Sequence, residues 1–326
     1  MLYNESNLDL SVALWLAVDT YEHDASVISA TQLLKPTKQI VLASRVRPEH
    51  KVGDVVNRVP SAIGTAIHDS IEKMWCNHYR TGLAELGYKR DIIDSIVMNP
   101  TPEQAKLLGD DEIAVYTERR VKKVLDGVTI SGEYDFCAEG RVEDFKSTKT
   151  YAYQKGTKDE DYRLQGSIYR WLDPEVITSD QMAIQFIFTD WKQSLAIAGA
   201  ANNYPQTPVI AHKIDLLSYE ETEEWIKNKL AEVAACQDLP ESEIPRCTDE
   251  QLWRDKPVYK YYANPEKTEG RATKNFDSSI DADAWLRSKG KGIVIPAMGK
   301  VRACGYCEGF TACAQKDEYA AAGLLV

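Results

Sequence analysis

The chain lacks the features that mark secreted, membrane-spanning and disulfide-stabilised proteins. Its first ten residues show no basic segment followed by an apolar run, so they do not predict a secretory signal. No apolar run approaches the roughly 20 residues that span a bilayer. Seven cysteines are an odd number, which argues against a disulfide framework. These absences predict a cytoplasmic protein whose thiols stay reduced.

Positive charge is also scarce. The 326 residues carry a net charge of −11, which counts against nucleic-acid binding because Lys and Arg supply the attraction to phosphate. Part of the negative charge belongs to a predicted helix near 217–225, whose glutamates form a solvated face. Basic residues gather locally, either as plain surface or as the walls of a groove. The clusters are Arg119–Lys123, Lys146–Lys158 and Arg287–Arg302.

The order of the predicted elements indicates an α/β fold with a mixed central sheet flanked by helices. Apolar periodicity predicts helices over about 62–80, 160–172 and 218–236, and Ser29 caps a short helix that ends near Pro36. Strands are predicted near 112–126, 128–137, 141–147, 182–189, 191–200 and 209–215. Prolines near residue 240 separate a predicted core, 1–240, from a loop-rich, cysteine-containing module, 241–326.

The segment 130–149 carries the strongest chemical signal. Asp135 is expected to end one strand, and Asp144 and Lys146 lie two residues apart in the next, where side chains share a face. Two carboxylates and an ammonium group on one hairpin can hold a divalent cation and position a water molecule for phosphodiester hydrolysis. Alone, a D-x-K pattern is usually an exposed ion pair. The apolar neighbours Val142 and Phe145 argue for a buried site.

Further motifs flank this hairpin in a defined order. Gly64-x-x-x-His68 precedes it, Gly132-x-x-Asp135 begins it, and Gln165-x-x-x-Tyr169 follows it. The order resembles that of the RecB-like branch of the PD-(D/E)XK nuclease superfamily, which includes the AddB nucleases and the CRISPR-associated iron–sulfur exonucleases. The resemblance covers roughly residues 60–170 and the C-terminal cysteines. It implies a restriction-endonuclease-like core and an Mg²⁺- or Mn²⁺-dependent DNA exonuclease.

The resemblance also implies roles for individual residues. His68, Asp135, Asp144 and the carbonyl of Phe145 would hold the metal, and Lys146 would act on the attacking water. The helix carrying Gln165 and Tyr169 would pack over the site and contact a metal-bound water or a DNA phosphate. Glu118, which precedes Asp135 by 17 residues, is either the extra upstream acid of related nucleases or a surface acid.

The C-terminal cysteines follow a C-x₂-C-x₅-C pattern formed by Cys304, Cys307 and Cys313. This spacing resembles the C-terminal triad of the iron–sulfur nucleases, whose fourth cysteine precedes the histidine motif. Here no cysteine precedes Cys76, so Cys247 is the candidate for the fourth ligand and Cys76 the reserve. The resemblance implies a 4Fe–4S cluster, whereas the placement of all four cysteines in one module fits the alternative, structural Zn²⁺, equally. Either would stabilise a small module.

Three short segments resemble those of bacteriophage-encoded members, namely 28–35, 247–253 and 271–278. The expected function is therefore DNA end processing in phage replication, recombination or repair, within a bacterial cytoplasm. Expected partners are single- or double-stranded DNA ends and no membrane, while a replication or recombination protein and oligomer formation stay open. A catalytically inactive nucleic-acid-binding or assembly subunit is the alternative, against which the intact Asp135, Asp144 and Lys146 argue. A glycosidase would explain neither Lys146 nor His68.

Overall fold

The computed structural model describes residues 2–18, 24, 26–47, 53–156, 158–198 and 203–326. The strands are β1 Leu2–Tyr3, β2 Ile28–Ser29, β3 Gly53–Asp54, β4 Ile96–Met98, β5 Ile113–Leu125, β6 Val128–Ala138, β7 Arg141–Thr148, β8 Gln181–Phe188, β9 Val209–Asp215, β10 Val258–Tyr262, β11 Lys274–Phe276 and β12 Ile293–Ala297. The helices are α1 Leu10–Ala17, α2 Ala30–Leu33, α3 Thr37–Arg45, α4 Val59–Glu85, α5 Arg90–Asp94, α6 Pro102–Ala105, α7 Thr150–Lys155, α8 Asp159–Leu172, α9 Gln193–Ile197, α10 Tyr219–Cys236, α11 Ser279–Lys289 and α12 Ala314–Ala321.

The predicted α/β fold with a mixed central sheet is confirmed. Its strands follow the order β4-β5-β6-β7-β8-β9, and β2 pairs beside β6. Strands β5 and β7 each run antiparallel to β6, which lies between them, whereas β7 and β8 run parallel. Helix α8 buries Ile168, Tyr169 and Trp171 in the main apolar cluster of the sheet. Helix α4 packs Ile71 and Trp75 on a second cluster. The sheet is thus covered by both helices.

The β6–β7 hairpin has the turn that the sequence predicts at Glu139 and Gly140. Both residues have positive φ, 49° and 75°, as a two-residue turn that matches the twist of antiparallel strands requires. One expectation about this hairpin is wrong, because Asp135 does not end its strand. β6 continues to Ala138, which pairs with both Val115 and Arg141, so Asp135 lies inside the strand, directly before the residues that pair with β7.

Two other strand expectations also need correction. The predicted strand at 191–200 contains helix α9, and β9 pairs with β8 instead. The expected loop-rich tail holds a three-stranded sheet, β11-β10-β12, with α11 against it and α12 further on. These strands are three to five residues long, too short for a clear period-two pattern.

The chain folds into two compact units. The first comprises the described parts of 1–34 and 52–230 and contains the central sheet, α4 and α8. The second comprises the described parts of 35–51 and 231–326, and its apolar clusters include Val41, Leu42 and Cys304. The division at residue 240 that the sequence suggests stays a prediction. No helix within the described residues combines the length and the apolarity that crossing a bilayer demands.

Close packing of α8 on β6 explains the glycine of the Gly132 motif. A Cβ atom at Gly132 would lie 2.7 Å from Leu172 and 2.9 Å from the Tyr169 ring. We therefore expect Gly132→Ala to lower the free energy of unfolding by about 1–3 kcal/mol, the usual cost of overpacking. Gly82→Ala is the control, since nothing lies within 4 Å and this helical site should gain up to about 1 kcal/mol. Urea unfolding measures both, and equal effects would contradict the packing argument.

Candidate active site and cysteine cavity

Strand register sets three carboxylates in a row across the central sheet. Thr117 pairs with Phe136 and Arg119 with Tyr134, which places Glu118 opposite Asp135. Phe136 pairs with Glu143 in the next strand, and the same register places Asp135 opposite Asp144. Residues opposite one another in adjacent strands have neighbouring side chains. Three acids from β5, β6 and β7 are therefore brought to one place.

The hairpin opens at Asp135. Its Oδ2 accepts a hydrogen bond of 2.6 Å from the backbone N–H of Phe145, so a side chain takes over the role of a strand carbonyl. The regular alternation of β6 side chains between the two faces of the sheet is interrupted at the same point. Tyr134 contacts Tyr169 of α8, whereas Phe136, two residues on, contacts Trp75 of α4. In a regular strand these two rings would lie on one face.

Glu118 adopts a strained backbone conformation. Its φ of 44° lies in the left-handed region, although it sits inside a long strand and is not glycine. Such conformations cost about 1–3 kcal/mol and cluster at functional sites. Sequence reasoning left Glu118 open between a metal ligand and a surface acid. Its side chain is 27% exposed and lies against His68, so it belongs to the site.

His68 on α4 meets this row of acids. Its Nδ1 lies 3.5 Å from Asp135 Oδ1 and 3.6 Å from Glu118 Oε1. Its Nε2 lies 3.0 Å from the carbonyl oxygen of Phe145. The ligand atoms of His68, Glu118 and Asp135 all fall within 4.8 Å of one another, so this group could hold a metal ion. Of the five ligands suggested by the sequence, four converge here.

Asp144 lies outside that group of three and makes different contacts. Its Oδ2 forms an ion pair with Lys146 Nζ. Its Oδ1 accepts a hydrogen bond of 3.1 Å from Gln165 Nε2, and the same amide nitrogen lies 2.7 Å from the Tyr169 hydroxyl. Asp144 is 1% exposed. The hairpin and the α8 motif are therefore linked through a buried network.

The clustered charges shift the pKa values of these groups. Burial and then the charge of Asp144 raise the pKa of Asp135 to about 7, against the opposing effects of His68 and Lys146. Burial disfavours the charged form of His68, but Glu118, Asp135 and the Phe145 carbonyl outweigh it and raise its pKa to about 9. For Lys146, Asp144 and Asp135 likewise overcome burial and raise the pKa. His68 and Lys146 are therefore protonated at neutral pH, and Asp135 is about half protonated.

Glu118 Oε1 is buried and accepts no hydrogen bond of standard geometry within the described residues, and Asp144 Oδ2 has only its ion pair with Lys146 Nζ. Buried carboxylate oxygens without donors are costly, and a cation satisfies them. The site lines a cleft of about 1350 Å³. Sequence reasoning did not single out several polar residues of its lining, among them Arg58, Asp69, Glu72 and Ser147. Glu72 follows His68 by one helical turn, which is the signal that could have revealed it.

The four cysteines suggested as ligands lie together in the second unit. Cys247, Cys304, Cys307 and Cys313 line a cavity of about 30 Å³. Burial, followed by the charges of the other three thiols, raises the pKa of Cys247 to about 11. The reserve candidate, Cys76, instead lies in the first unit, with its sulfur 3.5 Å from the Thr117 hydroxyl.

Comparisons with known proteins add little to this geometry. No protein-family model matches the chain, and no curated protein matches it. A solved structure described as SSO0001 is 12% identical, with a TM-score of 0.40, over 68% of this chain and 83% of the other. A phage-related exonuclease from Haemophilus somnus 129PT is 16% identical, with a TM-score of 0.27, over 65% of this chain and 92% of the other.

The raised pKa values predict how divalent-metal affinity depends on pH. A metal ion must displace the His68 proton below about pH 9 and also the Asp135 proton below about pH 7. The association constant for Mn²⁺ should therefore rise about tenfold per pH unit between 7 and 8, and more steeply between 6 and 7. Calorimetry in buffers of different ionisation enthalpy measures both the affinity and the protons released.

Two histidine variants sharpen this measurement. His68→Gln should bind Mn²⁺ weakly and release fewer protons, because it has no imidazolium to deprotonate. His212→Gln is the matched control, since His212 interacts with Asp159 and does not line the cleft. An affinity that does not change with pH, or equal losses in the two variants, would contradict the ligand assignment.

Proposed function

We propose that this chain is a metal-dependent DNA exonuclease that hydrolyses phosphodiester bonds. The observation that carries the proposal is the convergence of Asp135, Asp144 and Lys146 with His68 and Glu118 at one cleft. A structural ion pair would explain Asp144 and Lys146 alone. It would not explain why a second buried acid, a histidine and a strained glutamate adjoin them.

The donor set fits a hard divalent cation. His68, Glu118 and Asp135, with the carbonyl of Phe145 beside them, would hold Mg²⁺ or Mn²⁺, and the imidazole suits Mn²⁺. Glu118 Oε1, which accepts no hydrogen bond of standard geometry within the described residues, is one position where the cation can bind, and Asp144 Oδ2 beside Lys146 is a position where its water can bind. When bound, the ion polarises the phosphate and lowers the pKa of a coordinated water.

The other residues have distinct tasks in this proposal. Lys146 keeps its positive charge beside Asp144, where it can orient the attacking water and stabilise charge that develops on phosphorus oxygens. Gln165 holds the Asp144 carboxylate in position, and Tyr169 holds Gln165. Tyr169 is itself fixed because its ring packs on Gly132. Motif order favours action on DNA ends and a role in phage replication, recombination or repair.

We further propose that Cys247, Cys304, Cys307 and Cys313 hold a 4Fe–4S cluster. They line one cavity, and their mutual effect on the Cys247 pKa supports a shared site. The resemblance of the C-x₂-C-x₅-C pattern to that of the iron–sulfur nucleases favours a cluster. Structural Zn²⁺ is the alternative, because four thiolates also suit a tetrahedral zinc site.

The nuclease proposal is tested with end-labelled linear DNA in Mg²⁺ or Mn²⁺, with EDTA as the metal-free control. Asp144→Asn and Lys146→Met should each lower kcat by about 10²–10³-fold, as expected when a group that stabilises the transition state is removed. Lys146→Met should retain Mn²⁺ binding, because an ammonium group is not a ligand. Asp215→Asn, an exposed acid on β9, should be fully active. Undiminished, EDTA-sensitive cleavage by folded Asp144→Asn would refute the assignment.

Metal analysis after anaerobic purification tests the cysteine proposal. The native protein should be brown, with broad absorption near about 400 nm and about four irons per chain. Ser at any of the four positions should lower iron content and the unfolding midpoint, because metal binding stabilises a small module. Cys76→Ser is the control and should retain iron. Colourless protein with about one zinc would support the alternative. Protein containing neither metal, or iron lost only in Cys76→Ser, would contradict the ligand set.

A further inference from the structure

The small sheet of the second unit carries positive charge on an otherwise acidic chain. Residues 256–302, which hold β10–β12 and α11, contain ten Lys or Arg and five Asp or Glu. Their net charge is therefore +5, whereas the whole chain has −11. The remainder of the protein accordingly carries −16. Such an asymmetry between parts of one chain indicates a surface for an anionic partner.

Strand register gathers most of these cations at one end of the module. Tyr262 at the end of β10 pairs with Ile293 at the start of β12, and Tyr261 pairs with Lys274 at the start of β11. The loop between β10 and β11 and the segment that joins α11 to β12 therefore lie at the same end. We call this surface the basic end; it comprises Lys267, Arg271, Lys274, Arg287, Lys289 and Lys291.

The basic end has few acids of its own. Glu266 and Glu269 belong to its loop, so six cations face two carboxylates. The other acids of the module, Asp277, Asp281 and Asp283, lie at the opposite end, near the start of α11. The module is thus polarised along its strands.

Trp285 of α11 holds two of the cations close together. Lys274 Nζ lies 3.7 Å and Lys289 Nζ 4.5 Å from the centre of the Trp285 ring. The two ammonium groups are therefore within about 8 Å of each other, a distance at which like charges repel. Contact with the aromatic ring offsets part of this repulsion. A bound anion would neutralise the repulsion that remains between the two ammonium groups.

Helix electrostatics explains only part of the cluster. Arg287 and Lys289 lie in the last turn of α11, where cations stabilise the helix dipole. That effect does not apply to Lys267, Arg271 or Lys291, which lie in loops and are exposed. None of the six forms an ion pair with an acid of the described residues. Nearby cations of the same unit do form such pairs, as Arg254 with Asp249 and Arg302 with Asp255 show.

We propose that the basic end binds the phosphate backbone of DNA and holds it independently of base sequence. Exposed Lys and Arg that lack partners contact phosphates, release their counterions and carry no base-specific readout. Because the remainder of the chain carries a net charge of −16, this surface is the part of the second unit where a DNA strand is attracted most strongly. The choice of DNA over another polyanion rests on the proposed nuclease function. The binding of phosphates at this end does not.

The test measures DNA binding in EDTA, where no cleavage occurs. Fluorescence anisotropy with single- and double-stranded DNA of about 30 nucleotides gives affinity at several salt concentrations. A triple variant, Lys267→Gln with Arg271→Gln and Lys291→Gln, avoids the cations packed on Trp285 and should keep its unfolding midpoint. We expect at least about tenfold weaker binding. The slope of the logarithm of the association constant against the logarithm of the salt concentration should be smaller in magnitude by about 2 for single strands and about 3 for duplex. The reason is that each removed cation would otherwise neutralise one phosphate and release its counterion.

Two controls make the result specific. Lys256→Gln with Lys300→Gln removes two exposed cations outside the basic end, next to the opposite ends of β10 and β12, and should leave affinity and slope unchanged. Lys274→Arg with Lys289→Arg preserves charge and should bind normally. The inference is overturned if the triple variant keeps the native salt slope. It is also overturned if the control variant, Lys256→Gln with Lys300→Gln, loses as much DNA affinity as the triple variant does. It is equally overturned if vesicles rich in phosphatidylserine, and not DNA, lose binding in the triple variant.

Failure of this inference and failure of the nuclease proposal are distinguishable. Asp144→Asn tests cleavage and should bind DNA as tightly as the native protein does. The triple variant tests binding and should raise KM while leaving kcat within about twofold. Undiminished cleavage by Asp144→Asn would refute the assigned active site, and a native protein that cleaves no DNA with Mg²⁺ or Mn²⁺ would refute the nuclease; either result would leave the phosphate surface standing. If the triple variant binds DNA as tightly as the native protein and Asp144→Asn is inactive, the phosphate surface is refuted and the nuclease proposal stands.

Discussion

The strand register of β5, β6 and β7 is the constraint on which the candidate site depends. It places Glu118, Asp135 and Asp144 side by side, although Asp135 follows Glu118 by 17 residues and Asp144 follows Asp135 by 9 residues along the chain. A shift of one residue would turn every side chain of a strand to the other face. The tight turn at Glu139 and Gly140 prevents that shift, because its two positive φ values permit one pairing of the hairpin.

Bringing three acids together has an energetic cost that the surrounding residues reduce. Asp135 gains an N–H donor where the hairpin opens, and Asp144 gains Lys146 and Gln165. Glu118 keeps a strained backbone and an oxygen without a donor. A fold selected for stability alone would remove such a group, whereas a cation site uses it. The unsatisfied part of the site is therefore the part that points to a ligand.

Overall charge is a poor guide to where a polyanion could bind this protein. A net charge of −11 argues against nucleic-acid binding only if the charge is spread evenly over the chain, and it is not spread evenly. Acids are concentrated on α10 and at the candidate metal site, while unpaired cations meet at one end of the β10–β12 sheet. At physiological ionic strength charges are screened beyond about 8 Å, so local groups matter more than the total.

The sequence by itself determined the local features. These are the hairpin and its turn, the strand face shared by Asp144 and Lys146, and the helical face shared by Gln165 and Tyr169, because each follows from spacing over a few residues. The mixed α/β class follows from the order of the predicted elements. Tertiary structure alone decided that Asp135 lies inside its strand, that Glu118 joins His68, and that short strands gather a basic surface. Those features depend on pairing between distant segments, whose register and backbone strain leave no periodic trace in the sequence.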